Sequence, residues 1–307
     1  MSPMDPVQTL LNARFEDADD MAAALGWEFD FLQLSRGAFR GAAESLGGRR
    51  SRVNRVNLEA DLHQRGTPPK EVRTFGILDA QQSPIDWLGR VAGSQELLHF
   101  SAERGFESFS FGSFNGFTIS VEKSTLQSVT QALQGPGQED PEIFDRNPSA
   151  GAADVVALRR DLKLTFRQAG ELPADIFDQA LAERLALLNI DAPALAPRAS
   201  TRERVFRRAL DVIDANLEEG LRISELCQLV ATSHSTLDRA FRERVGLAPK
   251  RYLHAARLHR VRRDLKQRGN VLTVTEAANR WGFWHGGQFA RDYQRQYGEL
   301  PSETARG

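Results

Sequence analysis

Arginine side chains at helical spacing give the C-terminal end of this sequence its clearest chemistry. Arg291 and Arg295 lie four residues apart and would share one face of a helix. Phe289 and Tyr293 have the same spacing and would form a second, apolar face. Because guanidinium groups donate hydrogen bonds to phosphates and to base edges, such a helix is a candidate for binding DNA.

The surrounding stretch, Val274–Pro301, predicts two short helices on either side of a tight turn. Gly282 supplies the positive φ that the turn requires. Gly298 and Pro301 are expected to end the second helix. Two short helices joined by a glycine-containing turn are typical of a helix-turn-helix.

The same pattern occurs 52 residues earlier in the chain. The paired positions are Leu237 with Phe289, Arg239 with Arg291, Phe241 with Tyr293, Gly246 with Gly298, and Pro249 with Pro301. Glu225 matches Glu276 one residue out of register, as a one-residue difference in the turn would give. A repeat that keeps apolar and terminating positions indicates two copies of one unit.

A basic segment, residues 250–268, joins the two copies and predicts a helix of 19 residues. Its length would be about 28 Å, and successive major grooves on one face of DNA recur about every 34 Å. The cations available for phosphates are Lys250, Arg251, Arg257, Arg260, Arg262, Arg263, Lys266 and Arg268. A repeated, protein-binding helical module is the alternative, and the spacing favours DNA.

The net charge of −1 conceals an uneven distribution. Residues 201–307 hold 20 Lys and Arg against 13 Asp and Glu, a balance of +7. The remaining residues hold 20 basic and 28 acidic side chains, a balance of −8. A basic C-terminal third on an acidic body indicates a module for a polyanion, although an arginine-rich solvated surface would give the same count.

The N-terminal part predicts a small β-barrel or sandwich, because short alternating segments are separated by turn signals. Residues 1–24 are expected to be a loose lead-in with a short helix near residues 17–24. The expected strands are residues 28–34, 53–62, 72–78, 96–101, 105–111 and 117–121.

Aromatic residues crowd the last part of this region and raise the question of a ligand site. Phe109 and Phe111 would share one face of a strand, and Trp87 lies nearby in sequence. Trp87, Phe109 and Phe111 are the candidate ligand-binding residues, for an apolar or amphipathic small molecule. Packing in the core is the preferred interpretation of most of these rings. His63 and His99 lack close spacing, so no metal is expected.

Three helices are expected after the strands, at residues 123–133, 154–168 and 174–189. The second and third could pack on the barrel or on their twins in a dimer, and the dimer is slightly preferred. Stretches 135–151 and 191–200 read as loops or linkers. These boundaries predict a sensor domain at 1–134, a linker with a helical pair at 135–200, and a DNA-binding domain at 201–307.

Composition limits the remaining classes of protein. A length of 307 residues suggests about two domains, and 41% hydrophobic with 26% charged residues is ordinary for a globular protein. No apolar run reaches the roughly 20 residues of a membrane span, and no secretory signal is recognisable. The single cysteine, Cys227, excludes intrachain disulfides and cysteine-cluster zinc sites. A cytoplasmic protein is expected.

Residues 203–305 resemble the AraC/XylS family of bacterial transcription regulators. The resemblance rests on Ser235-x-Leu237-x-Arg239-x-Phe241, Gly246-x-x-Pro249-x-x-Tyr252-Leu253, Arg257-Leu258, Val274-x-Glu276-Ala277-Ala278, Gly282-Phe283, Phe289-x-Arg291-x-Tyr293 and Gly298-x-x-Pro301-Ser302. The run from Trp281 to Phe289 is similar to the branch that contains the ethanolamine-utilisation regulator.

The resemblance implies a first recognition helix at residues 234–244 and a second near Gly286. The DNA-binding residues it implies are Ser235, Asp238, Arg239, Arg242, Gly286, Gly287, Gln288, Arg291 and Arg295. Arginine can bind guanine in a bidentate fashion and aspartate can accept from cytosine. Glycines bring no base-reading side chain but allow close approach to phosphate. The first unit is therefore expected to carry most sequence specificity, and the second more of the affinity.

The resemblance also implies an α+β protein with a cupin-like barrel that binds an effector or dimerises. The expected function is a sequence-specific regulator, more often an activator, with double-stranded DNA, RNA polymerase, a small-molecule effector and a second copy of the chain as partners. A ligand-independent regulator is the alternative, and a cupin-type enzyme is a distant one because clustered His and Glu ligands are missing. No catalytic residue, cofactor, metal or membrane partner is expected.

Overall fold

The computed structural model describes residues 5–135, 151–190, 201–218, 220–268 and 271–306, without the side chains of Thr201 and Arg268. The chain divides into two compact units. One comprises residues 1–31, 40–60 and 64–197, and the other comprises residues 32–39, 61–63 and 198–307. Most of the two expected linkers, residues 136–150 and 191–200, lies outside the described residues, as do Gly269 and Asn270, which follow the helix expected at residues 250–268.

Eleven strands are present within the described residues. They are β1 (Gln8–Phe15), β2 (Glu28–Gln33), β3 (Gly41–Gly47), β4 (Ser51–Leu58), β5 (Leu62–Thr67), β6 (Val72–Leu78), β7 (Ile85–Trp87), β8 (Arg90–Ala92), β9 (Leu98–Phe100), β10 (Phe106–Ser110) and β11 (Phe114–Glu122). One sheet has the order β1-β3-β4-β11-β6-β9, and the other has the order β2-β5-β10-β7-β8.

Alternation of side chains gives the six-stranded sheet two different faces. In β4, Asn54, Val56 and Leu58 are buried on one face, and Val53 is buried on the other. The antiparallel register places Ile119 of β11 opposite Val53. Both side chains are fully buried, because helices cover this face of the sheet.

The helices that follow β11 pack on this sheet. They are α2 (Lys123–Gln134), α3 (Ala152–Gln168) and α4 (Ala174–Ile190), while α1 (Ala18–Leu25) precedes β2. Leu158 of α3 and Leu185 of α4 share a core cluster with Phe75 and Ile119 of the sheet. The sequence left two alternatives for this helical pair, packing on the β-structure or on the same helices of a second copy. The apolar residues named here pack on the β-structure.

The expected α+β class is confirmed, with a β-sheet unit and a helical unit. The strands form two sheets, not one closed barrel.

The expectation of a loose lead-in was wrong, because β1 pairs with β3 in an antiparallel register. The short helix within it is confirmed, and the Asp17 side chain caps it by accepting from the backbone N–H of Asp19 and Asp20. The strand expected at residues 53–62 is divided between β4 and β5.

The helical unit contains α5 (Thr201–Asn216), α6 (Ile223–Val230), α7 (His234–Val245), α8 (Pro249–Arg268), α9 (Val274–Arg280), α10 (Gly286–Tyr297) and α11 (Pro301–Thr304). Its core includes three rings in edge contact. Phe241 lies 4.9 Å from Phe206 and 5.5 Å from Tyr252, centroid to centroid. No helix in the described ranges is both long and apolar enough to cross a membrane.

Two short segments from earlier in the chain, Leu32–Phe39 and Asp61–His63, belong to the helical unit. The side-chain amide of Gln296 donates to the backbone oxygens of Gln33 and Ser35 at 2.8 and 2.9 Å. The amide of Gln33 donates in return to the backbone oxygen of Gln296 at 3.3 Å. His63 Nδ1 lies 2.8 Å from the Tyr252 hydroxyl, so this histidine has a structural partner.

Candidate nucleic-acid interface

Both helix-turn-helix copies begin their first helix with the same carboxylate cap. The Glu225 carboxylate accepts from the backbone N–H of Arg222 at 2.7 Å, before α6. Before α9, the Glu276 carboxylate accepts from the Thr273 N–H at 2.8 Å, and the Thr273 hydroxyl accepts from the Glu276 N–H. The match between Glu225 and Glu276 therefore has a physical basis, and its offset arises in the turn that follows.

The two turns reach the left-handed backbone region by different residues. Ala231 has φ +56° in the first turn, and Gly282 has φ +82° in the second, as the sequence predicted for Gly282. The second turn is also tied to the long helix, because the Trp281 indole N–H donates to Asp264 at 2.7 Å.

The second helices, α7 and α10, end in the same way. Gly246 and Gly298 have φ of +64° and +80°, and their N–H groups donate to the carbonyls of Arg242 and Gln294. The two prolines of the repeat start helices: Pro249 begins α8 and Pro301 begins α11. Pro301 was expected to end α10, but Gly298 already does so.

The apolar positions of the repeat are the anchors of each copy. Leu237 and Phe241 are fully buried in α7, and Phe289 and Tyr293 are buried in α10. The Tyr293 hydroxyl lies 2.9 Å from the Thr304 hydroxyl, and burial raises the pKa of Tyr293 to about 12. The exposed positions of α7 and α10, among them Arg239 and Arg291, lie away from these anchors.

The exposed face of α7 carries the residues expected to read bases. Ser235, Arg239 and Arg242 are exposed, and Asp238 is partly exposed. Arg242 Nε donates to Asp238 Oδ2 at 2.7 Å, four residues apart on the helix. Arg239 has no hydrogen bond or ion pair among the described residues. The guanidinium of Arg239 is therefore the unengaged cation at the centre of this face.

At the start of α10, two glycines leave the backbone exposed without covering side chains. Gly286 and Gly287 are exposed, and apart from the adjoining residues and the backbone of the helix itself no heavy atom of the described residues lies within 4 Å of the position that a Cβ would occupy on either. The residue before the helix, His285, makes no side-chain capping hydrogen bond. In α7, by contrast, the Ser233 hydroxyl accepts from the Thr236 N–H at 3.2 Å.

Hydrogen bonds connect the polar side chains of α10 to one another. Arg291 donates to the Gln288 side-chain oxygen at 3.0 Å, and Gln288 donates to Asp292 at 2.9 Å. Arg295 lies 3.7 Å from the same carboxylate. The four side chains form one surface network, which brings Gln288, Arg291 and Arg295 together.

Trp284 is a surface residue of this region that the sequence analysis did not select. Its side chain is 72% exposed, in the turn two residues before α10 begins. A large aromatic residue in a turn beside two glycines was the available signal, and it was used only as part of the family motif. An exposed apolar side chain beside a DNA-binding helix can pack on thymine methyl groups.

The basic residues of α8 divide between structural and exposed roles. Arg262 pairs with Glu299 at 2.6 Å and lies over the Tyr297 ring, and Arg257 donates to the Leu221 carbonyl. Burial lowers the pKa of Arg257. Lys250 and Arg251 are exposed. Only part of the predicted phosphate set is therefore available, and the side chain of Arg268 lies outside the described part of the chain.

The three candidate ligand residues lie in different surroundings in the β-sheet unit. Trp87 is 2% exposed and lines an internal cavity. Phe109 is buried but is not part of that cavity's wall, and Phe111 is 40% exposed. The expectation that Phe109 and Phe111 share a strand face was wrong, because β10 ends at Ser110. The described residues contain no group of three or more His, Cys, Asp or Glu that could hold a metal ion.

Comparisons with known proteins point to one family. Residues 226–307 match a helix-turn-helix domain family of the AraC type. The XylDLEGF operon transcriptional activator 3 of Pseudomonas putida is 36% identical over 102 residues, which are 33% of this chain and 31% of that protein. The HTH-type transcriptional regulator GbdR of Pseudomonas aeruginosa (strain UCBPP-PA14) is 26% identical over 200 residues, 64% of this chain and 54% of that protein.

A solved structure of a probable AraC family transcriptional regulator from Rhodopseudomonas palustris CGA009 is 33% identical, with a TM-score of 0.31. The match covers 33% of this chain and 94% of the chain in that structure. The match to the Pseudomonas putida activator spans about a third of that protein's length. The family match at residues 226–307 covers the anchoring and terminating residues of both copies, and the chain belongs to the AraC/XylS family of DNA-binding transcription regulators.

Proposed function

We propose that this chain activates transcription by placing α7 and α10 in two adjacent major grooves of one DNA site. The observation that carries the proposal is the duplicated motif with a single long helix between its copies. Helix α8 has 20 residues and is therefore about 30 Å long. Major grooves on one face of DNA recur about every 34 Å, so the two spacings are close.

The two recognition helices have separate roles in this proposal. Helix α7 reads bases with Ser235, Asp238 and Arg239, and Arg242 holds Asp238 in place. Helix α10 binds mainly the phosphate backbone, through the N–H groups at Gly286 and Gly287 and through Arg291 and Arg295. Trp284 adds an apolar contact beside them.

Control of DNA binding belongs to the β-sheet unit. Binding of a small molecule or dimerisation there shifts the population of the DNA-binding form. Large apolar side chains remain exposed on the outer faces of α3 and α4, namely Val156, Leu164, Ile176 and Leu187. They support a homodimer, and the name of the Pseudomonas putida relative, a transcriptional activator, supports activation of transcription. A regulator without a ligand is the second candidate, and the family membership disfavours an enzyme.

Protection of genomic DNA fragments by the purified chain tests the tandem arrangement. We expect each protomer to protect about two major-groove turns on one face of the DNA. Arg239→Ala should remove the preference at one base pair, whereas Arg208→Ala, an exposed arginine on α5, should leave the pattern unchanged. Protection of a single groove, or equal affinity for target and competitor DNA, would contradict the proposal.

A further inference from the structure

The β-sheet unit encloses a cavity whose wall is formed by both sheets and by α1. The six-stranded sheet contributes Asn54 and Thr118, the five-stranded sheet contributes Trp87 and Phe106, and α1 contributes Met21. The cavity volume is about 40 Å³. That volume is room for a few water molecules, but the wall is almost entirely apolar. It is thus neither a solvent channel nor a filled core.

Aromatic rings dominate one side of this cavity in two stacked pairs. Trp27 stacks on Phe29 with centroids 4.7 Å apart, and Trp87 stacks on Phe106 at 5.4 Å. Phe100 meets Trp27 and Trp87 edge-on, at 5.2 and 4.7 Å. Flat surfaces and exposed ring edges of this kind fit a planar or six-membered ring, because offset and edge contacts are the favoured aromatic geometries.

Two residues of the wall have a buried polar atom without a hydrogen-bond partner in the described part of the chain. The indole N–H of Trp87 has no acceptor, and the side-chain oxygen of Asn54 has no donor. Trp87 is 2% exposed and Asn54 is 1% exposed, so water outside the protein does not satisfy them. Buried polar groups are normally paired, so the Trp87 N–H calls for an acceptor and the Asn54 oxygen calls for a donor. A hydroxyl group provides both.

The charge of the ligand follows from what the wall contains. Its polar side chains are those of Asn54, Gln64, Ser108 and Thr118, and none of the residues that form it is ionisable. An unpaired charge in such a site would lose its hydration without gaining a counter-charge. A carboxylate or an ammonium group is therefore excluded from the part of the ligand that enters.

We propose that this cavity binds a neutral molecule that has one aromatic or alicyclic ring and one hydroxyl group. The ring packs among Trp27, Phe100 and Phe106, and the hydroxyl accepts from Trp87 Nε1 and donates to Asn54 Oδ1. The ring needs more room than about 40 Å³, so binding turns the lining aromatic side chains outward. The inference rests on the proposed control of DNA binding by a small molecule, whose chemical class it specifies.

Binding of four small probes to the full-length chain tests the ligand class. Phenol is neutral at pH 7, because its pKa is near that of tyrosine, about 10. Benzoate, benzylamine and toluene have the same ring with a negative charge, a positive charge and no polar group. Titration calorimetry and the thermal midpoint should show phenol as the tightest of the four. Tighter binding of benzoate or benzylamine, or no binding of phenol, would overturn the proposal.

Two tryptophan substitutions separate the hydrogen bond from the packing. Trp87→Phe removes the unpartnered N–H, and should weaken phenol about three- to tenfold relative to toluene. Trp27→Phe removes the same atoms from the other indole of the wall, whose N–H is not among the unpartnered buried atoms. It should change phenol and toluene affinities by the same factor. If both variants gave equal phenol-to-toluene ratios, the Trp87 hydrogen bond would be disproved.

A footprint repeated with saturating phenol separates this inference from the proposed function. DNA protection that does not respond to bound phenol would contradict control by this ligand class, while leaving the tandem DNA reader intact. Phenol binding by a chain that protects no DNA site would confirm the cavity's ligand class and contradict the proposed function.

Discussion

Helix α7 presents Ser235 and Arg239 where α10 presents Gly287 and Arg291, although the two helices share buried anchors and glycine ends. In α7 the first turn is closed by the Ser233 hydroxyl, and the central arginine has no partner in the described residues. In α10 the first turn has no side-chain cap, and Arg291 is held by Gln288. The same duplicated skeleton thus carries two different exposed surfaces, and the proposal assigns base contacts to α7 and phosphate contacts to α10.

The two copies also differ in what fastens their C-terminal ends. Arg244 of α7 pairs with Glu203 of α5 at 2.9 Å. The equivalent position in α10 is Gln296, which bonds to backbone oxygens of the segment Leu32–Phe39. One copy is therefore anchored within the helical domain, and the other by a segment from earlier in the chain. The repeated sequence produces equivalent helices in both copies, but the contacts at the C-terminal ends of those helices differ.

The largest expected effects are losses of stability, and they come from changing the buried aromatic anchors that both copies share. Phe241→Ala and Phe289→Ala each delete a buried ring, and each should lower the free energy of unfolding by about 3–5 kcal/mol. Urea denaturation of the full chain measures the loss, and the exposed Arg208→Ala should change it by less than about 0.5 kcal/mol. A large loss at one position and almost none at the other would show that the two skeletons are not equivalent.

The next largest effect is on DNA binding, and it distinguishes the exposed face of α7 from that of α10. Arg239→Ala should cost about 1–3 kcal/mol of specific binding and relax preference at one base pair. Arg291→Ala should weaken target and competitor DNA alike and reduce the salt dependence of binding. Binding titrations at several salt concentrations distinguish these patterns. A greater loss of base preference from Arg291→Ala would reverse the assignment of roles.

The sequence was a good guide to the helical unit because its signals are local. Glu276 three residues after Thr273, and Gly298 after a periodic apolar run, each mark a helix end without reference to distant residues. The helices expected from residues 234 and 250 begin at His234 and Pro249. The repeat added a second, independent reading of the same signals.

The β-sheet unit was harder to predict because its strands depend on distant partners. Strand β3 has the sequence Gly-Ala-Ala-Glu-Ser-Leu-Gly and is defined by its pairing with β1 and β4. Strands β7 and β8 have three residues each and turn through Leu88 and Gly89, both at positive φ. The cavity wall draws on residues from strands of both sheets, such as Asn54 of β4, Trp87 of β7 and Phe106 of β10. A linear pattern does not show which side chains meet there.

The free energy of unfolding should fall by about 1–3 kcal/mol when the hydrogen bonds of Gln296 that attach α10 to the segment Leu32–Phe39 are removed. Gln296→Ala leaves the buried backbone oxygen of Gln33 without one of its donors. Gln294→Ala on the same helix is the control, because Gln294 is exposed. Thermal unfolding of both variants measures the difference. Equal midpoints would mean that the segment Leu32–Phe39 does not stabilise the second copy.

Gly287→Ala should change folding and DNA binding in opposite directions. The open space at this position and its helical backbone admit a methyl group, so the protein should gain about 0.4–1 kcal/mol of stability. The same methyl group would stand between the helix start and a phosphate, so DNA affinity should fall for all sequences. Denaturation and DNA titration of one variant test both signs. Unchanged affinity would remove the glycines from the interface.

The smallest expected effect is a pH dependence that only the second copy has. His254 of α8 lies 3.7 Å from Asp292, whereas the equivalent of Asp292 in the first copy is Ala240. Burial lowers the pKa of His254, and the nearby Asp292 carboxylate opposes that shift only in part. Between this lowered pKa and about 6.5 the unfolded chain binds more protons than the folded one.

Stability should therefore fall as the pH drops from about 6.5 through the lowered pKa of His254, and the loss is complete below it. The histidine is 44% exposed, so the loss should be slight. His254→Gln should flatten the difference in unfolding midpoint between pH 7 and pH 5, while His234→Gln, an exposed histidine at the start of α7, should leave it in place. A larger difference in His254→Gln would mean that Asp292 outweighs burial at this site.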